Sequence, residues 1–90
     1  MKKHIKIFIF GSLKDVGFRF YTMEMAYKYG VFGIVKHRRD GSLYIEAEGE
    51  KEPLDEFLNW CRKGPQGCRI TKFRTRDGTV KDYSSFDIKY

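Results

Sequence analysis

Residues 33–49 read "GIVKHRRDGSLYIEAEG" and carry the strongest structural signal in the chain. Asp40-Gly41 lies between two apolar-rich runs, and this dipeptide favours the tight turn of a β-hairpin. In the second run, apolar residues occupy every other position from Leu43 to Ala47, which is typical of a strand with one buried face. The stretch therefore predicts two strands joined as a hairpin, over residues 33–38 and 42–49.

The segments before the hairpin predict a strand and then a helix. Apolar and polar residues alternate over residues 3–10, which indicates a strand whose polar side chains, such as that of His4, face solvent. Residues 18–29 contain neither glycine nor proline. They are followed by Gly30, which suits the left-handed geometry at a helix C-terminus.

The segments after the hairpin predict a helix and then strands. Pro53 suits the first turn of a helix in "PLDEFLNWCRK", whose apolar residues recur with helical spacing, and Gly64-Pro65 ends it. Residues 69–75 and 86–90 are expected to form strands, separated by a turn in "RDGT".

Together these elements follow the order β-α-β-β-α-β, with the short terminal segment completing or extending the last strand. This order predicts an α+β fold of the ferredoxin-like split β-α-β type, a sandwich in which an antiparallel sheet carries both helices on one face. A chain of 90 residues is long enough for one core, so residues 1–90 are expected to form a single domain. The fold occurs with many unrelated functions, so function has to be argued from a site.

The composition favours an anionic partner. Lys and Arg total 18 against 12 Asp and Glu, and the net charge of +6 would attract nucleic acid or a small phosphate compound.

No apolar run reaches the ~18–20 residues of a membrane span. The alternating residues 3–10 also differ from the uninterrupted apolar segment of a signal peptide. We therefore expect a cytoplasmic protein, monomeric by default, with no membrane partner.

Cys61 and Cys68 are the two cysteines of the chain. They have no histidine or cysteine partners at the spacing of a zinc site, so no metal site is predicted. A disulfide between them is an alternative, but reduced, structural thiols are expected because cytoplasmic proteins rarely hold disulfides.

Residues 11–20, "GSLKDVGFRF", join the first strand to the first helix. Such a junction directs successive backbone N–H groups towards one point, where an anion can bind at the helix N-terminus. Arg19 would add a planar, permanently charged group that matches two oxygens of a phosphate or carboxylate. The pattern predicts an anion site; the alternative is that the loop only turns the chain and Arg19 is solvated.

The same residues resemble a known family. "GSLKDVGFR" is similar to the acylphosphatase signature Gly-x-Val-Gln-Gly-Val-x-Phe-Arg, with matches at Gly11, Val16, Phe18 and Arg19. The family's second signature, Gly-aromatic-Val-basic-Asn followed by Asp-Gly and an alternating strand, is similar to residues 33–49. The later "FLNWCRKGPQGCRITKF" and the ending "FDIKY" also resemble the family, so the similarity spans essentially the whole chain.

The resemblance implies a hydrolase that cleaves acyl phosphates to a carboxylate and inorganic phosphate, without a metal or organic cofactor. The partner would be a small acyl phosphate or inorganic phosphate. In the family, loop amides and the arginine hold the phosphoryl group, and an asparagine of the second strand positions the attacking water. Carried over to this sequence, the binding loop comprises Lys14, Asp15, Val16, Gly17, Phe18 and Arg19, with Arg19 as the side-chain anchor.

This chain departs from the family pattern at His37, which occupies the asparagine position, and in the loop, where Lys14, Asp15 and Leu13 replace glutamine, glycine and valine. The imidazole of His37 could position the water, since one ring nitrogen can accept a hydrogen bond while the other donates one. It is also bulkier than an asparagine, and a shift of ~1 Å can lower a rate ~100-fold. Arg19 and His37 are therefore the predicted catalytic residues of an acylphosphatase-type enzyme. The alternative is a catalytically weak or inactive module that binds phosphate or carboxylate.

Nucleic-acid binding is a rival function for a basic ferredoxin-like domain. RNA-recognition domains of this fold stack bases on aromatic side chains of the central strands. The corresponding strand here, "SLYIEAEG", has only Tyr44 as an aromatic residue, and Glu46 and Glu48 would repel phosphates. No nucleic-acid partner is therefore expected.

Overall fold

The computed structural model describes residues 1–13 and 16–90. The order of the helices and strands in these ranges confirms the ferredoxin-like α+β fold. Lys14 and Asp15 lie outside the described residues. The elements are β1 (Lys3–Ser12), α1 (Phe18–Tyr29), β2 (Phe32–His37), β3 (Leu43–Gly49), α2 (Lys51–Lys63), β4 (Arg69–Gly78) and β5 (Phe86–Lys89).

The strands form one sheet in the order β4-β1-β3-β2-β5. The first four strands of this order pair with one another in antiparallel fashion, as expected. β5 instead pairs in parallel with β2 at the far edge, with Phe86 opposite Gly33. The expectation that the terminal segment completes or extends the preceding strand is therefore wrong. This segment forms a separate strand, and the sheet is mixed. Burial explains this position, because Phe86 is fully buried and its ring centroid lies 5.9 Å from that of Phe57 in α2.

β4 is longer than the sequence indicates. The predicted turn in "RDGT" is wrong, because residues 76–78 continue the strand opposite Lys6, Ile5 and His4 of β1. The pairing with a long β1 outweighs the turn tendency of Asp-Gly at this position.

Both helices pack against one face of the sheet, where the core lies. Strand alternation places apolar side chains of β1, β2 and β3 on this face, and the buried face of each helix covers them. Burying one such large side chain contributes ~1.5–3 kcal/mol, so this layer holds the elements in place. Its buried members include Ile7, Ile9, Val35, Leu43, Ile45, Phe18, Ala26, Leu54, Phe57 and Cys61.

The opposite face of the sheet carries no helix in the part of the chain that the structure describes. We call this surface the open face. Strand register places on it Lys6, Phe8 and Phe10 of β1, Lys36 of β2, Tyr44, Glu46 and Glu48 of β3, and Lys72, Arg74 and Arg76 of β4.

One end of the open face is closed by residues 79–85, which lead from β4 to β5. Glu48 accepts hydrogen bonds from the backbone N–H groups of Lys81 and Tyr83, the latter at 3.0 Å. His4 Nδ1 lies 2.7 Å from Glu48 Oε2, and His4 is only 3% exposed. The expectation that His4 is solvated is therefore wrong, because the connecting segment covers this end of the sheet.

Glu46 belongs to the same group of bonded polar side chains. Its carboxylate accepts hydrogen bonds from Tyr44 Oη at 2.6 Å and Tyr83 Oη at 2.8 Å, and Lys81 Nζ lies 2.9 Å away. Burial raises the pKa of Glu46, but the bonds from Tyr44, Lys81 and Tyr83 outweigh it and lower this pKa to about 2. The pKa of Glu48 is also lowered, since its bonds to Lys81, His4 and Tyr83 outweigh its burial. We call His4, Glu46, Glu48, Lys81 and Tyr83 the carboxylate cluster.

Candidate active site

The predicted anion site follows Gly11, at which the pairing of β1 with β4 is irregular. The register between β1 and β4 shifts between Phe10 and Gly11, and the φ of Gly11 is 145°. A Cβ atom at Gly11 would lie 1.9 Å from the carbonyl oxygen of Arg69. Only glycine therefore fits at this position, after which β1 continues against β4 in a shifted register.

The loop ends at the N-terminus of α1, which is open to an anion. Gly17 is the N-cap residue, with left-handed φ 69° and ψ 31°, and α1 has no side-chain cap and no acidic residue in its first turn. The first intrahelical bond is donated by Tyr21 N to Gly17 O at 3.0 Å. The N–H groups of Phe18, Arg19 and Phe20 precede it and have no intrahelical acceptor. These donors and the positive end of the helix dipole favour a phosphate or carboxylate.

Phe18 fixes the position of this helix end. Its side chain is 1% exposed and packs edge-on against the Trp60 ring, with 5.7 Å between centroids. Its carbonyl accepts a hydrogen bond of 2.7 Å from Thr22 Oγ1 in the next turn. The predicted contribution of Phe18 to the site is therefore made through its backbone, while its ring belongs to the core.

Arg19 and His37 line one cavity of about 330 Å³. Arg19 lies in the first turn of α1, and His37 is the last residue of β2, opposite Leu43. The guanidinium carbon of Arg19 lies 5.0 Å from the centre of the Tyr90 ring. The start of α1 and the ends of β2 and β5 thus meet at this cavity. Its other lining residues are Leu13, Gly17, Phe18, Phe20 and Ile88.

Some predicted residues contribute differently from what the motif suggests. The side chain of Val16 lines a separate depression with Trp60 and Pro65, so its backbone alone is available to the loop. Lys14 and Asp15, which belong to the predicted binding loop, lie outside the described residues.

The sequence did not indicate the wall formed by Ile88 and Tyr90. Both residues reach the cavity because β5 pairs with β2, and no local pattern in residues 86–90 encodes that neighbour. The one available signal was the apolar alternation of Phe86 and Ile88, which predicts a strand but not its partner.

The thiols have no role in this cavity. Cys61 and Cys68 are both free, as expected. Cys61 is fully buried, and burial raises the pKa of its thiol.

Within the described residues, no group of three or more His, Cys, Asp or Glu side chains is placed to hold a metal ion. In the part of the chain that the structure describes, neither helix is long and apolar enough to span a membrane.

Comparison with known proteins agrees with this architecture. The acylphosphatase family model matches residues 5–88. The acylphosphatase of Thermotoga maritima is 40% identical over 88 residues, which cover 98% of each chain. That of Listeria welshimeri is 45% identical over 82 residues, covering 89% of this chain and 88% of the other.

A solved structure shows the same similarity in three dimensions. The crystal structure of acylphosphatase from Bacillus subtilis superposes with a TM-score of 0.93 and 28% identity, covering 100% of both chains. The chain therefore belongs to the acylphosphatase family and is an acylphosphatase-type hydrolase of small acyl phosphates.

Proposed function

We propose that this hydrolase binds the phosphoryl group of its substrate at the N-terminus of α1, with Arg19 as the side-chain anchor and His37 as the group that positions water. The observation that carries the proposal is the shared cavity of Arg19 and His37 beside a helix end without an acidic residue or side-chain cap. The full-length similarity to acylphosphatases favours hydrolysis over an inactive module that only binds phosphate or carboxylate.

Phosphate binding follows from the donors around the helix end. Backbone N–H groups of Gly17, Phe18 and Arg19 supply neutral donors, and the guanidinium of Arg19 supplies two parallel charged ones. Lys14, Asp15 and Val16 complete the proposed loop, as the family resemblance implies. Donors held in place before the reaction stabilise the charge that develops on phosphoryl oxygens, and one such donor is worth ~10²–10³-fold in rate.

The chemical step is hydrolysis at phosphorus. The oxygen of water forms a bond to phosphorus while the bond between phosphorus and the acyl oxygen breaks, and the carboxylate leaves with the bonding electron pair. A carboxylate is stable as an anion near neutral pH, so its departure needs no proton donor. The protons of the attacking water end on the phosphate product and the solvent.

His37 would hold the attacking water in line with the breaking bond. A neutral imidazole can accept a hydrogen bond from this water through one ring nitrogen, which places the water oxygen towards phosphorus. An imidazolium cannot accept that bond, so the proposed role requires the neutral ring. Positioning is the main contribution, because correct alignment of reacting atoms accounts for a large share of such catalysis.

The substrate in this proposal is a small acyl phosphate, and inorganic phosphate is a product that binds the same donors. The reaction is proposed to need no metal or organic cofactor, and neither a nucleic acid nor a membrane takes part in it. We also propose that the protein acts as a monomer in the cytoplasm.

The test is hydrolysis of benzoyl phosphate by the wild type and three variants, Arg19→Ala, His37→Asn and Lys28→Ala. Lys28 is the matched control, since it is an exposed cation in the last turn of the same helix. We expect Arg19→Ala to lose ~100-fold or more in kcat/KM, and Lys28→Ala to stay within about twofold. His37→Asn restores the family residue and should retain or raise the rate.

Phosphate-dependent melting separates binding from turnover. Phosphate should raise the Tm of the wild type and of His37→Asn, and Arg19→Ala should lose most of this shift. Phosphate protection without turnover in the wild type would support the inactive module instead. Full activity in a folded Arg19→Ala variant would overturn the proposed site.

A further inference from the structure

The open face carries a row of aromatic side chains that the hydrolytic site does not use. Phe8 of β1 and Tyr44 of β3 are direct neighbours, with ring centroids 5.2 Å apart and an angle of 51° between the ring planes. Phe10 lies two residues further along β1 and faces the same side. All three rings are half-buried, so part of each remains open to solvent.

Cations lie over or beside each of these rings. Lys36 Nζ is 5.7 Å from the Tyr44 centroid, Arg38 Cζ is 5.7 Å from that of Phe8, and Lys72 Nζ is 5.5 Å from that of Phe10. Arg74 is the exposed β4 partner of Phe8. Four adjacent strands thus contribute to one row of cations and rings, which spans roughly 14 Å at the usual strand spacing of about 4.8 Å.

The two glutamates of the same face, Glu46 and Glu48, are already bound within the chain. The sequence argues against nucleic acid on two grounds, the single aromatic residue Tyr44 in this strand and the repulsion of phosphates by free carboxylates of Glu46 and Glu48. In the structure, both carboxylates belong to the carboxylate cluster and are engaged by Lys81, Tyr83 and other donors. Asp87 of β5 remains as an exposed acid towards that same end, away from Phe10. The aromatic part of the face therefore presents mainly positive charge.

A cavity beside this row is large enough for a flat ring. It measures about 620 Å³, and Phe8, Tyr44, Lys36 and Arg38 line it together with His37, Arg39 and Tyr90. Glu46 also lines it, with its carboxylate bonded to Tyr44 and Lys81. Aromatic rings favour planar ligands, and the surrounding cations favour a ligand with a negative backbone. A lipid surface would instead call for fully exposed apolar side chains, whereas Phe8, Phe10 and Tyr44 are half-buried.

We propose that the open face binds single-stranded nucleic acid. Two or three bases stack on Phe8, Phe10 and Tyr44, and Lys36, Lys72 and Arg74 contact the adjoining phosphates. Stacking explains the aromatic row, and it is tolerant of sequence because every base has a π-face. A duplex does not fit this mode, because its bases are not available to stack on the protein.

The experiment measures fluorescence anisotropy of a labelled single-stranded RNA of about ten nucleotides, titrated with the full chain between 50 and 200 mM salt. Three phosphate contacts predict a slope of about −2 in log K against log salt, and hence a loss of affinity of roughly 20-fold over this range. Tyr44→Leu should weaken binding roughly fivefold or more, because it removes one stacking ring. Tyr44→Phe keeps the ring and should bind as tightly as the wild type.

Charge variants separate phosphate contacts from general attraction. Lys72→Ala should make the salt slope shallower by about 0.7, whereas Lys28→Ala, on the helical side, should leave both affinity and slope unchanged. Circular dichroism shows whether Tyr44→Leu is folded; if it is not, Phe10→Leu tests the same stacking at the next position along β1.

Several results would overturn the proposal. One is the absence of RNA binding at 50 mM salt, and another is duplex RNA binding as tightly as the single strand. A third is competition by inorganic polyphosphate while Tyr44→Leu and Phe10→Leu bind RNA as tightly as the wild type. Binding to vesicles of anionic lipid with none to RNA would assign the face to a membrane instead.

Discussion

Replacing Glu48 by glutamine should strongly destabilise the fold, although the side chain keeps its size and shape. Glu48 is fully buried and receives the backbone N–H groups of Lys81 and Tyr83, with His4 Nδ1 at 2.7 Å. A glutamine has one acceptor oxygen and an NH₂ group. Whichever way the amide is turned, its NH₂ group faces an N–H donor, and that donor loses its acceptor.

The size of the effect can be worked out from these contacts. A buried donor left without an acceptor costs about 1–3 kcal/mol, and each remaining bond loses about 1 kcal/mol when its acceptor is no longer charged. The sum is about 3–5 kcal/mol, comparable with the cost of breaking a buried ion pair. The whole free energy of unfolding of a small domain is only about 5–15 kcal/mol. In a domain of this size each kcal/mol shifts Tm by about 4–8 °C, so Tm should fall by at least about 12 °C.

The assay is thermal and urea unfolding at neutral pH, followed by far-UV circular dichroism. Glu24→Gln is the control, because Glu24 is an exposed carboxylate on α1, and it should leave Tm nearly unchanged. Amide hydrogen exchange adds a local measurement, since Lys81 and Tyr83 should lose protection in Glu48→Gln before the core does. A Tm within a few degrees of the wild type, with unchanged protection at these amides, would refute this account of the carboxylate cluster.

Two further predictions concern pH and the start of the binding loop. The pKa of Glu46 is lowered from 4.5 to about 2 in the folded protein, so its contribution to stability is complete above pH 4.5 and is lost as the pH falls towards 2. Urea unfolding at several pH values should show this decline, and Glu46→Gln should flatten it; an equally steep decline in the variant would contradict the assignment. Gly11→Ala should lower the free energy of unfolding by about 2–6 kcal/mol, because the new Cβ clashes with Arg69 O and the φ is strained for alanine. Gly49→Ala is the control and should change this free energy little, because a Cβ there meets only ordinary contacts. Similar stabilities of these two variants would contradict the steric argument.

The parts of the fold that the sequence predicted correctly are those specified by nearby residues. The Asp40-Gly41 turn is an example, because Ser42 N donates to Asp40 Oδ1 at 2.9 Å within the turn itself. Gly30 likewise has the left-handed φ of 68° expected after α1. Such features depend on a few adjacent positions, so a local pattern is enough to predict them.

The parts that the sequence did not predict depend on distant partners. Residues 79–85 have no periodicity, and their path is determined by bonds to Glu48, more than 30 residues earlier in the chain. The burial of His4 has the same origin. At the candidate site, the family motif predicted Arg19 and His37, which line one cavity, but it did not predict the Tyr90 wall, because this wall arises from the parallel pairing of β5 with β2.

Because β5 lies at the edge of the sheet, the protein could lose activity while most of its fold remains intact. β5 has four residues and pairs with one neighbour, yet Ile88 and Tyr90 beyond its buried Phe86 form a wall of the cavity that holds Arg19 and His37. Short edge elements open at lower free energy than the core to which they are attached. We therefore expect β5 to detach on warming while the four antiparallel strands and both helices stay folded, which would remove one side of the cavity. Loss of activity should therefore precede loss of helix content when the protein is heated.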